Sequence, residues 1–89
     1  MKESVIRVSG KTTSKGLAGS IAISVLKPEC DTILHCIGAS SVNQAMKACA
    51  IARGILGAQG YNLIIIPGFV DLDVNGKEVS GLKFKLKIS

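Results

Sequence analysis

The chain has 89 residues, of which 47% are hydrophobic, 3% aromatic and 19% charged, and its formal net charge is +5. This length predicts one small domain over residues 1–89, and the hydrophobic content predicts a packed aliphatic core and excludes a disordered chain. The excess of cations favours an anionic partner such as nucleic acid, whereas three aromatic residues are too few for a base-stacking platform.

The cysteines and the apolar runs indicate the cellular compartment of the protein. Cys30, Cys36 and Cys49 are an odd number of cysteines without paired spacing. Residues 1–9 lack the apolar run of a secretory signal, and no apolar run reaches the ~18–20 residues that a membrane span needs. We therefore expect a cytoplasmic protein with reduced, buried cysteines, no membrane association, no metal and no other cofactor.

The first half of the chain alternates strand and helix signals. β-branched residues predict a strand over 3–9, which is followed by a polar loop at 11–15. Residues 17–27 predict a helix that Pro28 stops, with Ser20, Ser24 and Lys27 on one polar stripe. Residues 32–37 predict a strand that is apolar on both faces, which is typical of a central parallel strand.

The stretch 36–57 predicts the end of that strand, a turn at Gly38 and the longest helix of the chain. Ser41 and Gln44 fit a capping box, so the helix is expected to run from Ser41 to about Leu56. Lys47 and Arg53 are isolated cations on this otherwise small and apolar helix, and their six-residue spacing puts them on different faces. The expected buried stripe is Val42, Ala45, Met46, Cys49, Ala52 and Leu56.

The second half of the chain predicts a hairpin. Residues 61–66 predict a third strand, which Pro67-Gly68 interrupts and residues 69–74 resume. Asn75-Gly76 predicts a type I′ turn before a fourth strand over 77–88. In this register the apolar face switches sides at Phe69–Val70 and at Gly81, which requires bulges or a strong twist that Gly68 and Gly81 would permit. We expect a hairpin whose tip leaves the main sheet and packs elsewhere.

These elements predict an α/β fold in the order β-α-β-α-β-β. Right-handed crossovers place both helices on one face of the sheet. The result is a two-layer α/β sandwich with a mixed four-stranded sheet and one open sheet face. Lys83, Lys85 and Lys87 alternate with the buried residues of the last strand, so they are expected to point to that open face.

A longer pattern carries a family resemblance. It reads Gly38-Ala39-x-x-x-Asn43-Gln44-Ala45-x-Lys47-Ala48-x-Ala50-Ile51-Ala52-Arg53-Gly54, with Ala18-Gly19, Ile65-x-Pro67 and Phe69-x-Asp71 outside it. Together these residues resemble the stage V sporulation protein S family over essentially the whole chain. The resemblance implies an Alba-like fold and a role in late endospore formation and in developmental or cell-division control.

The resemblance also implies candidate nucleic-acid-binding residues, because proteins of related fold bind DNA or RNA as dimers. Their lysine-bearing loop, second-helix start and hairpin arm correspond here to residues 11–15, 38–47 and 71–79, and Asn43 and Arg53 are polar where packing does not require it. The candidate residues are Lys11, Lys15, Gly38, Asn43, Lys47, Arg53 and Lys77. The arm departs from the Alba pattern, since it carries Asp71, Asp73 and Glu78 and only one lysine.

The same features fit simpler interpretations, which stay open. The turn from Gly38 to Gln44 is either an anion site or a helix start that caps itself. Lys47 and Arg53 are either phosphate contacts or solvated cations. The lysine row of the last strand is either a nucleic-acid face or the wet side of an edge strand, where lysines discourage aggregation.

The residue pairs that suggest catalysis lack the partners that catalysis needs. His35 and Cys36 are strand neighbours that point to opposite faces, so they cannot share an ion. Asp71 and Asp73 share a strand face, but no third metal ligand is apparent. No Ser–His–Asp order, nucleotide-binding fingerprint or redox pair is present, so we expect that the protein is not an enzyme.

Two functions of different classes follow from these observations. The first is a sporulation or developmental regulatory protein that binds DNA or RNA backbone with low sequence specificity, as a dimer or higher oligomer. The alternative is a non-enzymatic protein–protein interaction scaffold in sporulation or cell-division control that binds no nucleic acid. The small residues of the first helix and the surplus of aliphatic residues support the alternative.

Overall fold

The computed structural model describes residues 2–89 and contains the predicted β-α-β-α-β-β order. The elements are β1 (Lys2–Val8), α1 (Ser14–Val25), β2 (Cys30–Cys36), α2 (Ala39–Gly57), β3 (Leu63–Val74) and β4 (Lys77–Ile88). The strands form one sheet in the order β1-β2-β4-β3, in which β1 and β2 are parallel and the other pairs are antiparallel. The predicted two-layer α/β sandwich with a mixed four-stranded sheet is therefore confirmed.

Strand alternation divides the sheet into a covered face and an open face. Leu34 of β2 pairs with Phe84 of β4, and both side chains are buried in the core under the helices. The next residues along the strands, His35 and its partner Lys83, point to the other face. The register gives Lys85 and Lys87 the same orientation as Lys83, so the predicted lysine row does lie on the open face.

Small side chains let the two helices pack closely together over the sheet. Ala18 of α1 and Ala45, Ala48 and Ala52 of α2 are completely buried. The predicted stripe on α2 is largely confirmed, because four of its members are buried and the other two, Val42 and Met46, are partly buried. Within residues 2–89, no helix is both long enough and apolar enough to cross a membrane.

The third strand is continuous through Pro67, contrary to the predicted interruption. The β3–β4 ladder runs without a break from Leu63 opposite Ile88 to Val74 opposite Lys77. β3 lies at the edge of the sheet, where one side of the backbone has no neighbouring strand, so proline's missing N–H need not remove a ladder bond. Bulges, one of the two predicted explanations for the switch, are absent at Gly68 and Gly81, because each residue has one partner on the opposite strand.

Gly81 is required for a close approach between strands. A Cβ atom at this position would lie 2.7 Å from the carbonyl oxygen of Cys36, which is shorter than any normal contact. The pairing of β2 with β4 ends next to it, at Cys36 opposite Leu82. Gly81 therefore lets the last residue of β2 pack against β4 at the point where the hairpin leaves the sheet.

Residues 70–81 extend beyond the end of β2 as a two-stranded ribbon. Its turn has φ of 53° at Asn75 and 81° at Gly76, as the predicted type I′ turn requires. The tip continues the ladder, so it projects from the sheet without bending out of its register. The predicted switch of the apolar residues is present: Leu72 and Val79 lie on the open-face side of the ribbon, and Phe69 lies on the helix side.

Candidate nucleic-acid interface

The loop after β1 and the start of α2 meet at one edge of the molecule. β1 and β2 are parallel, so their carboxyl ends lie side by side and the segments that follow them are neighbours. The side-chain amide of Gln44 donates a hydrogen bond of 2.7 Å to the carbonyl oxygen of Thr12. Gly10 packs against Ser40, because a Cβ on Gly10 would lie 2.5 Å from the Ser40 Oγ. These contacts bring the loop lysines to the beginning of the second helix.

Short-range hydrogen bonds order the loop that carries the first lysine. The Ser9 N–H donates to the Thr12 Oγ1 at 2.9 Å, and the Thr12 N–H donates to the Ser9 carbonyl at 3.1 Å. The Lys11 N–H donates to the Ser9 Oγ at 3.1 Å. The backbone of Lys11 is thus held in a turn while its side chain is exposed.

The start of α2 is not self-capped, so the predicted capping box is wrong. The helix begins at Ala39, two residues earlier than expected, and the Ser41 hydroxyl points backwards, donating at 2.7 Å to the Ile37 carbonyl and lying 2.9 Å from that of Gly38. Ser41 is already inside the first turn, and Gln44 is engaged with the loop. Gly38 has φ 86° and ψ 159°, a conformation nearly restricted to glycine.

This geometry leaves an electropositive helix end. Within residues 2–89, no side chain caps α2, and the N–H groups of Ala39, Ser40 and Ser41 have no acceptor. The first turn also carries no acidic residue. The N-terminus of a 19-residue helix with free N–H donors attracts anions.

Three exposed lysines lie on the segments that meet at this edge. Lys11 and Lys15 lie on the loop and the start of α1, and Lys47 lies one turn after Asn43 on the same exposed side of α2. None of the three forms an ion pair in the described part of the chain, where the ion pair present joins Lys85 to Asp31 at 3.6 Å on the open sheet face. Lys11, Lys15, Gly38, Asn43 and Lys47 therefore form one group, which we call the basic edge.

The other two predicted residues lie apart from the basic edge. Arg53 is ten residues beyond Asn43, about 15 Å farther along α2, and adjoins Tyr61 and Asn62. Lys77 is at the hairpin tip, five residues and roughly 17 Å from Leu82. The structure thus brings together five of the seven predicted residues and separates the remaining two.

The helix-side face of the hairpin is acidic. Asp73 lies directly opposite Glu78, and Asp71 lies two residues before Asp73 on the same face. Lys77 points to the other face, opposite Val74. The carboxylates are exposed, so this face of the arm carries a negative potential next to an otherwise basic molecule.

A groove of about 610 Å³ separates the start of α2 from the base of the hairpin. Its lining includes Val42, Asn43, Met46, Phe69, Gly81 and Leu82. Phe69 lies on the helix side of the hairpin, yet 82% of it is exposed. Phe69 is exposed because α2 packs on the part of β3 that precedes it and does not extend over Phe69. No local sequence signal distinguishes Phe69 from the buried residues on the same face of the strand.

The buried cysteines have low thiol reactivity. Cys36 and Cys49 are buried, and Cys30 is partly exposed. Burial raises the pKa of Cys49 to about 11, with a smaller contribution from nearby Cys36. Burial also raises the pKa of Cys36, and the neighbouring Ser41 hydroxyl partly opposes that rise. A raised pKa keeps both thiols protonated and unreactive at neutral pH.

Fold and site together define a small α/β sandwich domain with a basic edge and a protruding acidic hairpin. The family model described as stage V sporulation protein S (SpoVS) matches residues 4–89. The chain therefore belongs to the SpoVS family, and the resemblance noted in the sequence is confirmed. It is a sporulation-related protein, from a family of regulatory proteins that is not a known enzyme family.

Proposed function

We propose that this sporulation-related protein binds the sugar-phosphate backbone of DNA or RNA through its basic edge. The observation that carries the proposal is the uncapped start of α2, held beside the lysine loop by the hydrogen bond from Gln44 to Thr12. Phosphate groups are suited to free helix N–H donors, and Lys11, Lys15 and Lys47 supply charge around them.

This surface favours phosphate recognition over base reading. Lysines and backbone N–H groups contact phosphates without distinguishing sequence. The basic edge contains no aromatic residue on which a base could stack, and Asn43 is the only amide side chain that it exposes. The expected binding is therefore strongly salt-dependent and weakly selective among sequences.

We limit the proposed surface to the basic edge. Arg53 lies on a different side of α2, and Lys77 shares its arm with Asp71, Asp73 and Glu78. Carboxylates at the arm repel phosphates, so an arm of this composition contributes little to nucleic-acid affinity.

The proposal is tested by the salt dependence of binding to duplex DNA and duplex RNA. We expect Lys47→Ala to reduce the slope of log K against log salt by roughly one, because one phosphate contact is lost. Lys27→Ala is the matched control, since Lys27 is an exposed lysine just after α1, at the opposite end of that helix from the loop lysines. Its slope should equal that of the unmodified chain.

Two results would contradict the proposal at different levels. An unchanged slope for Lys47→Ala removes that lysine from the surface. If the unmodified protein binds neither duplex DNA nor duplex RNA below physiological salt, the proposal of a nucleic-acid-binding function is wrong.

A scaffold function is the second candidate, and the exposed Phe69 beside the groove is the observation that favours it. Exposed aromatic residues next to apolar grooves are typical of protein interfaces. A folded chain that binds no nucleic acid would support this alternative.

A further inference from the structure

A groove of about 350 Å³ lies between the first strand and the first helix, at one edge of the sheet. Its lining includes Ser4 and Ile6 of β1 and Ile23 of α1, and we call it the β1 groove. This part of α1 lies over β2, because the Ser24 hydroxyl is 2.6 Å from that of Thr32. Ser4 and Ile6 are therefore only partly buried beside the helix.

β1 is also an edge strand with unpaired backbone groups. Within residues 2–89, β2 is the only strand that pairs with β1, along its whole length from Lys2 to Val8. Alternate residues of such a strand direct their N–H and C=O groups away from the sheet. The other edge strand, β3, contains Pro67, whereas β1 contains neither a proline nor a bulge that would prevent a further strand from pairing.

Aliphatic side chains are exposed on both sides of this edge. Ile23 is 66% exposed beside the β1 groove, and Val5 is 46% exposed on the open face of the sheet. A further strand beside β1 would be covered by Ile23 on one face and would extend the row of Val5 and Ile33 on the other. An open strand edge flanked by apolar surface suits an extended polypeptide.

Arg7 adds a charge to the same edge. It is exposed near the end of β1, on the same face as Val5, and it forms no ion pair in the part of the chain that the structure describes. In an added strand, the residue opposite Arg7 is the immediate neighbour of the residue opposite Ile6. An acidic residue at the first position and an aliphatic one at the second would pair with the guanidinium and fill the β1 groove together.

We propose that an extended segment of a partner protein pairs with the free edge of β1 as a fifth strand. This segment carries an aliphatic side chain that enters the β1 groove between Ile6 and Ile23, next to a carboxylate that faces Arg7. Main-chain hydrogen bonds supply affinity, and these two side chains supply specificity. The inference goes beyond the proposed function, since it concerns a protein partner and a surface outside the basic edge.

A second copy of this chain meets these requirements only one at a time. One two-fold pairing of β1 with itself sets Glu3 opposite Arg7. The same register sets Ser4 opposite Ile6, and serine is too small to fill the groove. The pairing that sets Ile6 opposite Ile6 leaves Arg7 opposite Val5. β1 contains no acidic residue next to an aliphatic one, so a different chain is the occupant that fits. A nucleic acid has no amide backbone with which to continue the ladder.

The first test adds a peptide to the full chain without nucleic acid. The probe is an acetylated and amidated octapeptide with the core Glu-Ile-Val-Glu, which places a carboxylate beside Arg7 in either strand direction. We expect saturable binding by NMR titration, together with slower hydrogen exchange at the outward-pointing N–H groups of β1. The same peptide with lysine in place of both glutamates should bind at least about 10-fold more weakly.

Two results of this test would overturn the proposal. The first is that the glutamate peptide does not bind, or binds without protecting the β1 amides from exchange. The second is protection of these amides that grows with protein concentration in the absence of peptide, because a second copy would then occupy the edge.

The aliphatic contact is tested by Ile23→Gln, which should weaken binding of the glutamate peptide by about 10-fold or more, because it removes the apolar wall of the β1 groove. Ile55→Gln is the matched control, since Ile55 is also an exposed helical isoleucine but lies on α2. Its dissociation constant should equal that of the unmodified chain. An equal dissociation constant for Ile23→Gln would contradict the proposed placement in the groove.

The charged contact is tested by Arg7→Glu, which should reverse the preference so that the lysine peptide binds more tightly than the glutamate peptide. A residue that only supports the fold would not reverse this preference. Arg7 and Ile23 are both exposed, so circular dichroism should report an unchanged fold for each variant. Equal weakening of both peptides by Arg7→Glu would overturn the proposal, whatever the outcome for nucleic-acid binding.

Discussion

The hydroxyl groups of Ser24 and Thr32 form a buried polar pair that joins α1 to β2. Their oxygens are 2.6 Å apart, and both residues are buried. The sequence predicts Ser24 on a polar stripe with Ser20 and Lys27. Ser20 and Lys27 are exposed, but Ser24 is not. Two hydroxyls that bond each other satisfy their polar groups inside the core, so the prediction fails for Ser24 because its partner lies on another element.

Because each hydroxyl satisfies the other, the losses of stability on removing the two hydroxyls should not be additive. Thr32→Val should reduce the free energy of unfolding by about 1–3 kcal/mol, since the Ser24 hydroxyl stays buried without its partner. The double variant Ser24→Ala/Thr32→Val should be less destabilised than the sum of the single variants, as measured by urea unfolding. Ser20→Ala, on the exposed side of α1, should change stability by less than about 0.5 kcal/mol. Strictly additive effects would show that the pair contributes nothing as a pair.

At the scale of single elements, the hairpin sequence correctly predicts that the apolar residues change sides, but the bulges offered as one explanation are absent. The apolar residues do change sides at Phe69–Val70, as the two-residue turn predicts. The ladder nevertheless has no bulge. The apolar residues change sides because the two ends of the β3–β4 hairpin meet different surroundings. One end packs under the helices, and the other lies beyond β2, where neither face is covered by the described elements. Gly81 marks the boundary between them.

Gly81→Ala should destabilise the protein by about 1–3 kcal/mol, because the new methyl group would be 2.7 Å from a backbone oxygen that cannot rotate away. Thermal or urea unfolding measures the change. Gly19→Ala is a suitable comparison, since Gly19 lies inside α1 and a Cβ there would meet nothing within 4 Å. That variant should be stabilised by roughly 0.5–1 kcal/mol. Equal stability of Gly81→Ala and the unmodified chain would refute the close approach.

The whole molecule separates its charges by location. The basic edge lies at the carboxyl ends of β1 and β2, the acidic hairpin face projects beyond the same end, and the lysine row covers the open sheet face. The core that holds them in place also encloses two of the three cysteines.

Thiol labelling of the native protein reports on the integrity of that core. Cys30 should react at neutral pH, whereas Cys36 and Cys49 should react only through opening of the structure. The pKa of Cys49 is raised in the folded state from 9.0 to about 11, so its contribution to stability is complete below pH 9.0 and is lost as pH rises through about 11. A Cys30→Ser variant should take up no label until it unfolds. Rapid native labelling of that variant would contradict the buried placement.

Features that depend on neighbouring residues could be predicted from the amino-acid sequence. Alternation with a period of two identified the faces of β4, and Asn75-Gly76 defined the hairpin register. The order of strands and helices then left few possible topologies, so the two-layer sandwich followed from the connection rules. These signals depend on only a few neighbouring residues, so they can be interpreted without knowledge of the rest of the fold.

Which polar and aromatic groups are available for binding depends on tertiary contacts and could not be predicted from the sequence. Gln44 fits a cap within its own helix, but its amide instead reaches Thr12, 32 residues away, and the helix end stays open. Phe69 is exposed because α2 does not extend over it, and Arg53 is separated from the basic edge by the helix itself. Such outcomes depend on contacts between residues distant in the chain, and no local pattern records those distances.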